Sequence, residues 1–225
     1  MDDHEITRAR LVMLGRQGAG KGTQCVRLAA HFGEPHISTG DMLRAAVAAG
    51  TKMGLRVKDI MDSGALVSDE LMINVIAERL ELPDATRGYI LDGFPRTVPQ
   101  GEELDEITAD RPLHVVINLD VPEEVVIERI TKRRVCSTCG TNYSTDVPPT
   151  RNWTCDVCGG EVVQRPDDTE EAVLERLALY ASETLPLVPF YEERGVLLSV
   201  DGLGEADDVT ARLIAAVDDR LVARR

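Results

Sequence analysis

The chain has 225 residues, of which 43% are hydrophobic and 28% charged, so it can bury the core of one domain that carries small insertions. Acidic residues outnumber basic ones by 39 to 25, and the net charge of −14 argues against non-specific binding to nucleic acid or to an anionic membrane surface. No apolar run approaches the roughly 18 residues of a membrane span, and residues 1–5 are acidic where a signal peptide would be basic, which favours a cytoplasmic protein.

Strands and helices alternate in the predicted secondary structure. Short apolar runs predict strands at 9–14, 89–91, 115–119 and 196–200. Apolar residues at helical spacing predict helices at 21–32, 41–49, 53–63, 68–80 and 122–134, with a last helix at the C-terminus. Pro186 and Pro189 are interpreted as a bend. The alternation predicts an α/β fold whose parallel sheet is covered by helices on both faces.

Residues 135–168 break this alternation, because they are rich in Cys, Thr, Pro, Gly and Asn and lack helical periodicity. Such a stretch indicates a small module that is held together by something other than an apolar core. Its cysteines form two Cys-x-x-Cys pairs, Cys136/Cys139 and Cys155/Cys158, separated by fifteen residues. Pairs of this spacing bind one tetrahedral zinc ion, and four thiolates leave it no open position, so we expect a structural zinc.

A glycine-rich segment, Gly-Arg-Gln-Gly-Ala-Gly-Lys-Gly-Thr at 15–23, lies between the first predicted strand and the first predicted helix. Its glycines let the backbone wrap a phosphate with N–H groups at the positive end of the helix. Lys21 is expected at an exposed position, where it adds a charge for the outer phosphates, and Thr23 can bind there or near a magnesium ion. In the usual pattern Ser or Thr follows Lys directly, whereas here Gly22 intervenes. Cys25 is expected to be a small buried hydrophobic residue.

Several segments resemble the adenylate kinase family in order and spacing: Gly-Ala-Gly-Lys-Gly-Thr-Gln at 18–24, Ser-Thr-Gly-Asp-Met-Leu-Arg at 38–44, Leu-Asp-Gly-Phe-Pro-Arg-Thr at 91–97, the pair Arg133 and Arg134, and Gln-Arg-Pro-Asp-Asp at 164–168. The similarity extends from about residue 11 to residue 204, and the bacterial long-lid form with four metal-binding cysteines is the most similar variant. Many members carry proline at the position of Gln17, and we expect this departure to change the stiffness of the loop rather than its function.

The resemblance implies a P-loop nucleoside-monophosphate kinase with a parallel-sheet core, a small helical AMP-binding insert and a zinc-containing lid. It implies the core at 1–37, 68–131 and 169–225, the insert at 38–67 and the lid at 132–168. The implied reaction is reversible phosphoryl transfer from magnesium-bound ATP to AMP, giving two ADP, in a monomer. The accepting phosphate oxygen is already anionic, so no general base is needed and catalysis depends on alignment and charge neutralisation.

The resemblance also implies individual roles. The catalytic charges would come from Lys21, Arg96, Arg133, Arg165 and Arg176. ATP would contact Gly18, Ala19, Gly20, Lys21, Gly22, Thr23, Arg133, Asn142, Tyr143 and Gly204, and also Arg129, which lies one helical turn before Arg133. AMP would contact Thr39, Arg44, Ala65, Leu66, Val67, Gly93, Phe94, Pro95, Arg96, Gln100, Arg165 and Arg176. Within this set, Thr39 and Gln100 would contact adenine, and Arg44 and Arg96 the α-phosphate.

Two acidic residues, Asp92 and Asp41, each have two interpretations. Asp92 ends a predicted strand, where it can hold magnesium through water or cap a helix or turn. Asp41 can likewise join the water shell of the magnesium ion or cap the helix that follows it. Asp168 and Glu171 are expected to cap the helix after the lid.

Three alternative functions remain open. A kinase for another nucleoside monophosphate would need only a different contact to the base. A catalytically idle nucleotide sensor is disfavoured by the complete set of arginines, and a zinc-ribbon protein that binds nucleic acid is disfavoured by the strongly acidic chain.

Overall fold

The computed structural model describes residues 9–165 and 168–223, so residues 1–5 and the pair Pro166 and Asp167 of the last motif lie outside the described part. The strands within it are β1 Arg10–Leu14, β2 His36–Ser38, β3 Tyr89–Asp92, β4 Val115–Asp120, β5 Arg133–Cys136, β6 Asn142–Ser144, β7 Val162–Val163 and β8 Leu197–Asp201. The helices are α1 Lys21–Phe32, α2 Thr39–Ala48, α3 Lys52–Ser63, α4 Asp69–Leu80, α5 Val98–Ile107, α6 Glu123–Lys132, α7 Glu170–Leu179, α8 Leu187–Glu193 and α9 Ala206–Val222. A π-helical turn, Tyr180–Thr184, joins α7 to α8.

A parallel sheet with strand order β2-β3-β1-β4-β8 forms the centre of the fold, which confirms the predicted α/β class. In the middle strand, Leu11 and Met13 pack in one hydrophobic cluster with α1, α6 and α9. Val12 and Leu14 pack in a second cluster with α4, α5 and α8. Successive residues of a strand point to opposite faces, so the uninterrupted apolar run of β1 serves both helical layers.

Apart from α8 and the three short strands of the lid, two elements are not predicted by the sequence pattern. β2 has three residues, which is too short for an apolar run to stand out. α5 contains Pro99 and Gly101, which usually break helices, but Pro99 lies in the first turn, where its missing N–H has no partner to lose.

One predicted helix boundary and one predicted bend are wrong. The helix expected at 122–134 ends at Lys132, because Arg133 takes an extended conformation and begins β5. The segment around Pro186 and Pro189 is helix α8 rather than a bend, since both prolines lie at its start, where a helix tolerates proline.

The insert and the lid have different internal structures. In the insert, α2 and α3 approach so closely that a Cβ at Gly54 would lie 2.1 Å from the carbonyl oxygen of Ala46. The lid contains an antiparallel sheet with strand order β6-β5-β7 and a small cluster of Cys136, Cys155 and Val162, which packs against Tyr143. So small a cluster leaves the lid dependent on another source of stability. Across the described residues, no helix combines the length and the apolar character needed to cross a bilayer.

Candidate functional site

The glycine-rich loop connects the carboxyl end of β1 to the N-terminus of α1. Gly18 has a φ of +83°, and a Cβ there would lie 2.7 Å from Ile130 Cγ1 and 2.8 Å from the carbonyl oxygen of Val126. Only glycine fits so close to α6 in this left-handed conformation. The N-cap of α1 is Gly20, which has no side chain to occupy the first N–H groups of the helix. The loop is therefore shaped to receive an anion at the helix N-terminus.

Lys21 is held by this loop rather than exposed, which corrects the sequence expectation. Its Nζ donates hydrogen bonds to the carbonyl oxygens of Gly15, at 2.7 Å, and Arg16, at 2.9 Å. Burial lowers the pKa of Lys21 to about 8, while the nearby carboxylate of Asp92 acts in the opposite direction. An anionic phosphate would be a stronger partner for the ammonium group than these carbonyl oxygens.

Arg96 lies near Asp92 and among other cations. Its Nε donates a hydrogen bond to the carbonyl oxygen of Gly93 at 2.8 Å. Burial lowers the pKa of Arg96, and the charges of Arg176 and Arg44 lower it further, whereas Asp92 raises it. Three cations gathered at one place repel each other, so the arrangement is suited to an anion that neutralises them.

The insert contributes a further ion pair. Arg44 Nη2 lies 2.5 Å from Asp41 Oδ1. Burial alone would raise the pKa of Asp41, but the hydrogen bond with Arg44 lowers it, and the charge of Arg165 contributes in the same direction. Ser38 is the N-cap of α2, with its side chain accepting from Asp41 N at 3.3 Å, so Asp41 is not the capping residue.

Arg133, at the start of the lid, pairs with Asp168, at its end. Its Nε donates to Asp168 Oδ2 at 2.8 Å, and its Nη2 donates to Asp168 Oδ1. The Asp168 side chain is fully buried, and Gln17 Nε2 also donates to its Oδ1 at 3.4 Å. The expected capping role is wrong, because Thr169 caps α7 by accepting from Ala172 N.

The other predicted ATP contacts lie in three places. Arg129 Nη1 donates to the carbonyl oxygen of Ala19 at 3.2 Å, and its Nη2 donates to that of Gly202 at 3.4 Å. It thus connects the glycine-rich loop to the segment after β8, which also contains Gly204. In the lid, Asn142 is exposed, whereas the hydroxyl of Tyr143 lies against the sulfur of Cys155.

Gln100, one of the two predicted adenine contacts, is bound by Asp69, a residue that the sequence did not single out. Gln100 Oε1 accepts from Arg96 N at 2.8 Å, and Gln100 Nε2 donates to Asp69 Oδ1 at 2.7 Å. Asp69 Oδ2 accepts in addition from Thr97 Oγ1 at 3.0 Å. In the sequence Asp69 looks like an ordinary acidic residue in the first turn of a helix, and only its distant partners distinguish it. Thr39 Oγ1 donates to the carbonyl oxygen of Gly93 at 2.9 Å.

Most of the remaining predicted AMP contacts are apolar. Val67 and Phe94 are buried in the second core cluster, and Pro95 follows Phe94 through a cis peptide bond. Ala65 and Leu66 are half-buried in the connection between α3 and α4.

Asp92 ends β3 next to the glycine-rich loop. Its Oδ2 lies 3.4 Å from His36 Nε2, and the helix that follows is capped by Thr97 instead. The capping interpretation of Asp92 therefore finds no support at α5.

The four lid cysteines converge as their spacing predicts. Their sulfur atoms all lie within 4.8 Å of one another, with Cys136 and Cys158 at 3.4 Å and Cys139 and Cys155 at 3.6 Å. Zinc–sulfur bonds of about 2.3 Å in a tetrahedron place the sulfur atoms about 3.8 Å apart, so the donor set and its spacing fit zinc. The hydrogen bond from Tyr143 lowers the pKa of Cys155 to about 6, which favours the thiolate that a metal requires.

Comparisons with known proteins agree with the motifs. The sequence model of the family "Adenylate kinase" matches residues 13–196. The adenylate kinase of Archaeoglobus fulgidus is 48% identical over 211 residues, which cover 92% of this chain and 97% of the relative. That of Methanosarcina mazei is 50% identical over 195 residues, covering 85% and 90%, and that of Thermodesulfovibrio yellowstonii is 46% identical over 214 residues, covering 94% and 100%. The resemblance is thereby confirmed: the chain belongs to the adenylate kinase family of phosphotransferases.

Proposed function

We propose that the protein reversibly transfers the terminal phosphoryl group of magnesium-bound ATP to AMP and so forms two ADP. The observation that carries this proposal is the convergence of charges from three segments. Both Arg96, from the third motif, and Arg133, from the lid, lie close enough to Lys21 to lower its pKa. A phosphoryl group that passes between two nucleotides needs cations on the donor side, on the acceptor side and between them.

Catalysis in this proposal depends on position and charge. The glycine-rich loop and Lys21 hold the donor phosphates, and Arg44 and Arg96 hold the acceptor phosphate with an oxygen directed at the donor. That oxygen carries a negative charge, so no side chain has to remove a proton from it. Thr23 and, through water, Asp92 would hold the magnesium ion, which neutralises charge on the ATP phosphates when bound.

The lid supplies the remaining charges. Arg133 and Arg165 lie near the two ends of residues 132–168, so closure of the lid would bring both toward the transferred group. Adenylate kinase lids are a standard example of closure that excludes water, which could otherwise accept the phosphoryl group. The four thiolates fill the coordination sphere of zinc, so the metal stabilises the lid and takes no part in the transfer.

We further propose that Asp69 and Arg96 N orient the Gln100 amide for adenine. A carboxylate only accepts and a backbone N–H only donates, so these two partners fix which end of the amide is nitrogen. One N–H and one lone pair of the amide remain for the base. They match a donor and an acceptor at the edge of adenine, whereas guanine presents the reverse order at the equivalent atoms.

The nucleotide preference tests this arrangement. Changing Gln100 to Leu is expected to reduce the preference for AMP over the other monophosphates by at least about tenfold, because the base loses its specific partner. Asp69→Asn should reduce it less, since an asparagine can both donate and accept and no longer fixes the amide. Glu70→Gln removes an exposed carboxylate from the same helical turn and serves as the control. An unchanged preference in Gln100→Leu would contradict the adenine assignment.

The pKa of Lys21 in the free enzyme determines how kcat/KM is expected to depend on pH. Because its pKa is about 8, Lys21 loses its charge as the pH rises through that value, and kcat/KM is expected to fall above it. Bound phosphates raise the pKa of the ammonium group, so kcat should persist to higher pH. Lys21→Arg, which keeps its charge, should lack this decline although it is slower. A decline at the same pH in Lys21→Arg would assign it to another group.

Rates with ATP and each of AMP, UMP, CMP and GMP distinguish the proposal from its alternatives. We expect AMP to be strongly preferred. Faster reaction with another monophosphate would identify a different kinase, and nucleotide binding without turnover would identify a sensor. A salt-sensitive affinity for DNA or RNA would instead support the nucleic-acid alternative.

A further inference from the structure

A second group of potential metal ligands lies directly behind the glycine-rich loop. It consists of Cys25 on α1, His36 on β2 and Asp92 at the end of β3, and one ligand atom of each lies within 4.8 Å of the other two. None of the three belongs to the cysteine cluster of the lid. We propose that they form a second transition-metal site, which binds Zn²⁺ and thereby inhibits the enzyme.

The fold explains why these residues meet. In the parallel register of β2 and β3, His36 is opposite Ile90 and Ser38 is opposite Asp92. Ile90 and Asp92 are two residues apart and share a face of the sheet, so His36 and Asp92 are diagonal neighbours on that face. Cys25 follows Lys21 by one helical turn and is fully buried. The His36 and Asp92 side chains are only 17% and 13% exposed, so the site is enclosed, and it lies close to Lys21 of the glycine-rich loop.

The spacing already approaches that of a tetrahedral site. Zinc bonds of about 2.0 Å to nitrogen and oxygen place these two atoms about 3.3 Å apart. His36 Nε2 and Asp92 Oδ2 lie at 3.4 Å. The same geometry requires the sulfur at about 3.5 Å from each, which a small side-chain adjustment of Cys25 provides from its present separation of at most 4.8 Å.

The ligand chemistry selects zinc over magnesium. Thiolate and imidazole are preferred by Zn²⁺, whereas Mg²⁺ prefers oxygen ligands. On binding, the S–H bond of Cys25 breaks, its proton leaves to solvent and a zinc–sulfur bond forms, with no change of oxidation state. The thiolate and the carboxylate then balance the two charges of the ion, and water takes the fourth position.

Inhibition follows from the position of the site, and this consequence alone rests on the proposed function. Before binding, Asp92 presents one negative charge to Lys21, and after binding the complex is neutral. Lys21 thus loses its anionic neighbour, and the carboxylate of Asp92 is no longer available to the water shell of magnesium. Nucleotide phosphates bound at the loop should in turn obstruct the access of zinc.

Zinc binding to the holoenzyme, whose lid already holds one zinc ion, tests the site. Equilibrium dialysis in a zinc buffer should show a second equivalent in the wild type. Cys25→Ala and His36→Gln should each weaken only this second equivalent by at least about tenfold. His31→Gln removes an exposed histidine of α1 and should bind like the wild type. The first equivalent, held by the lid, reports in every variant that the chain is folded.

The activity provides a second readout. Added Zn²⁺ should inhibit the wild type and His31→Gln, and the inhibitory concentration should rise in parallel with the lost affinity in Cys25→Ala and His36→Gln. Failure of the wild type to bind a second equivalent would overturn the proposal, as would equal second-site binding in Cys25→Ala. Because the stoichiometry is measured without substrate, this result does not depend on which nucleotides the enzyme uses.

Discussion

Lys21→Ala is expected to lower turnover by about 10³-fold or more without unfolding the protein. Lys21 is the cation that the loop holds at the N-terminus of α1, where it faces the charges of Asp92 and Arg96. Among the described residues, its ammonium group donates hydrogen bonds to the two loop carbonyl oxygens described above, which water can satisfy in the variant. The loss should therefore appear in the chemical step rather than in the fold.

The stability of a Lys21 variant as a function of pH provides a second, independent test. Burial lowers the pKa of Lys21 from 10.5 to about 8, so the folded state binds fewer protons than the unfolded chain between these pH values. Charged Lys21 thus costs stability below pH 8, and this cost diminishes as the pH rises toward 10.5. Lys21→Met should be at least as stable as the wild type at pH 7, and its advantage should shrink at higher pH.

Turnover and thermal unfolding of both variants check these statements. Lys52→Ala, at an exposed lysine at the start of α3, is the control and should behave like the wild type in both assays. Near-normal turnover of Lys21→Ala would contradict the assigned role. Global unfolding of the variant would show instead that the lysine supports the fold.

Loss of the proposed lid zinc is expected to have the second largest effect, mainly on stability. Zinc that binds only the folded lid contributes about 2.7 kcal/mol at a hundredfold excess over its Kd, which corresponds to roughly 5–10 °C in the melting temperature. The lid cluster of Cys136, Cys155 and Val162 is too small to replace it. Activity at low temperature should fall less than in Lys21→Ala.

Tryptophan fluorescence reports on the lid directly, because Trp153 is the one tryptophan of the chain and lies within the lid. Chelation, or Cys155→Ser, should shift its emission to the red before the core unfolds. Val157→Ser changes an exposed residue between Cys155 and Cys158 and should leave the emission unchanged. Purified protein without bound metal, and with all four thiols freely reactive, would contradict the structural role of zinc.

The sequence predicts the parts of the site that are contiguous. The apolar run of β1, the glycines and Lys21 follow one another in the chain, so their pattern already defines a strand, an anion-binding loop and a helix. The two cysteine pairs are equally local, and their spacing alone brings four sulfur atoms together.

Partners that are distant in sequence could not be predicted in this way. Asp69 is 31 residues from Gln100, and Asp168 is 35 residues from Arg133. Each looks like an ordinary acidic residue at the start of a helix, and the pairing depends on how the sheet brings α4 toward α5 and the end of the lid toward its beginning. Similarly, α5 is not predicted because it contains Gly101, whose role is visible only in the packing. A Cβ at Gly101 would lie 2.9 Å from Leu187 Cδ2.

Label transfer distinguishes the proposed reaction from hydrolysis of ATP. With ATP labelled in its γ-phosphate and unlabelled AMP, the proposed reaction places the label in the β-phosphate of ADP and forms two ADP for each ATP consumed. Appearance of the label as inorganic phosphate, or consumption of ATP without matching consumption of AMP, would contradict it.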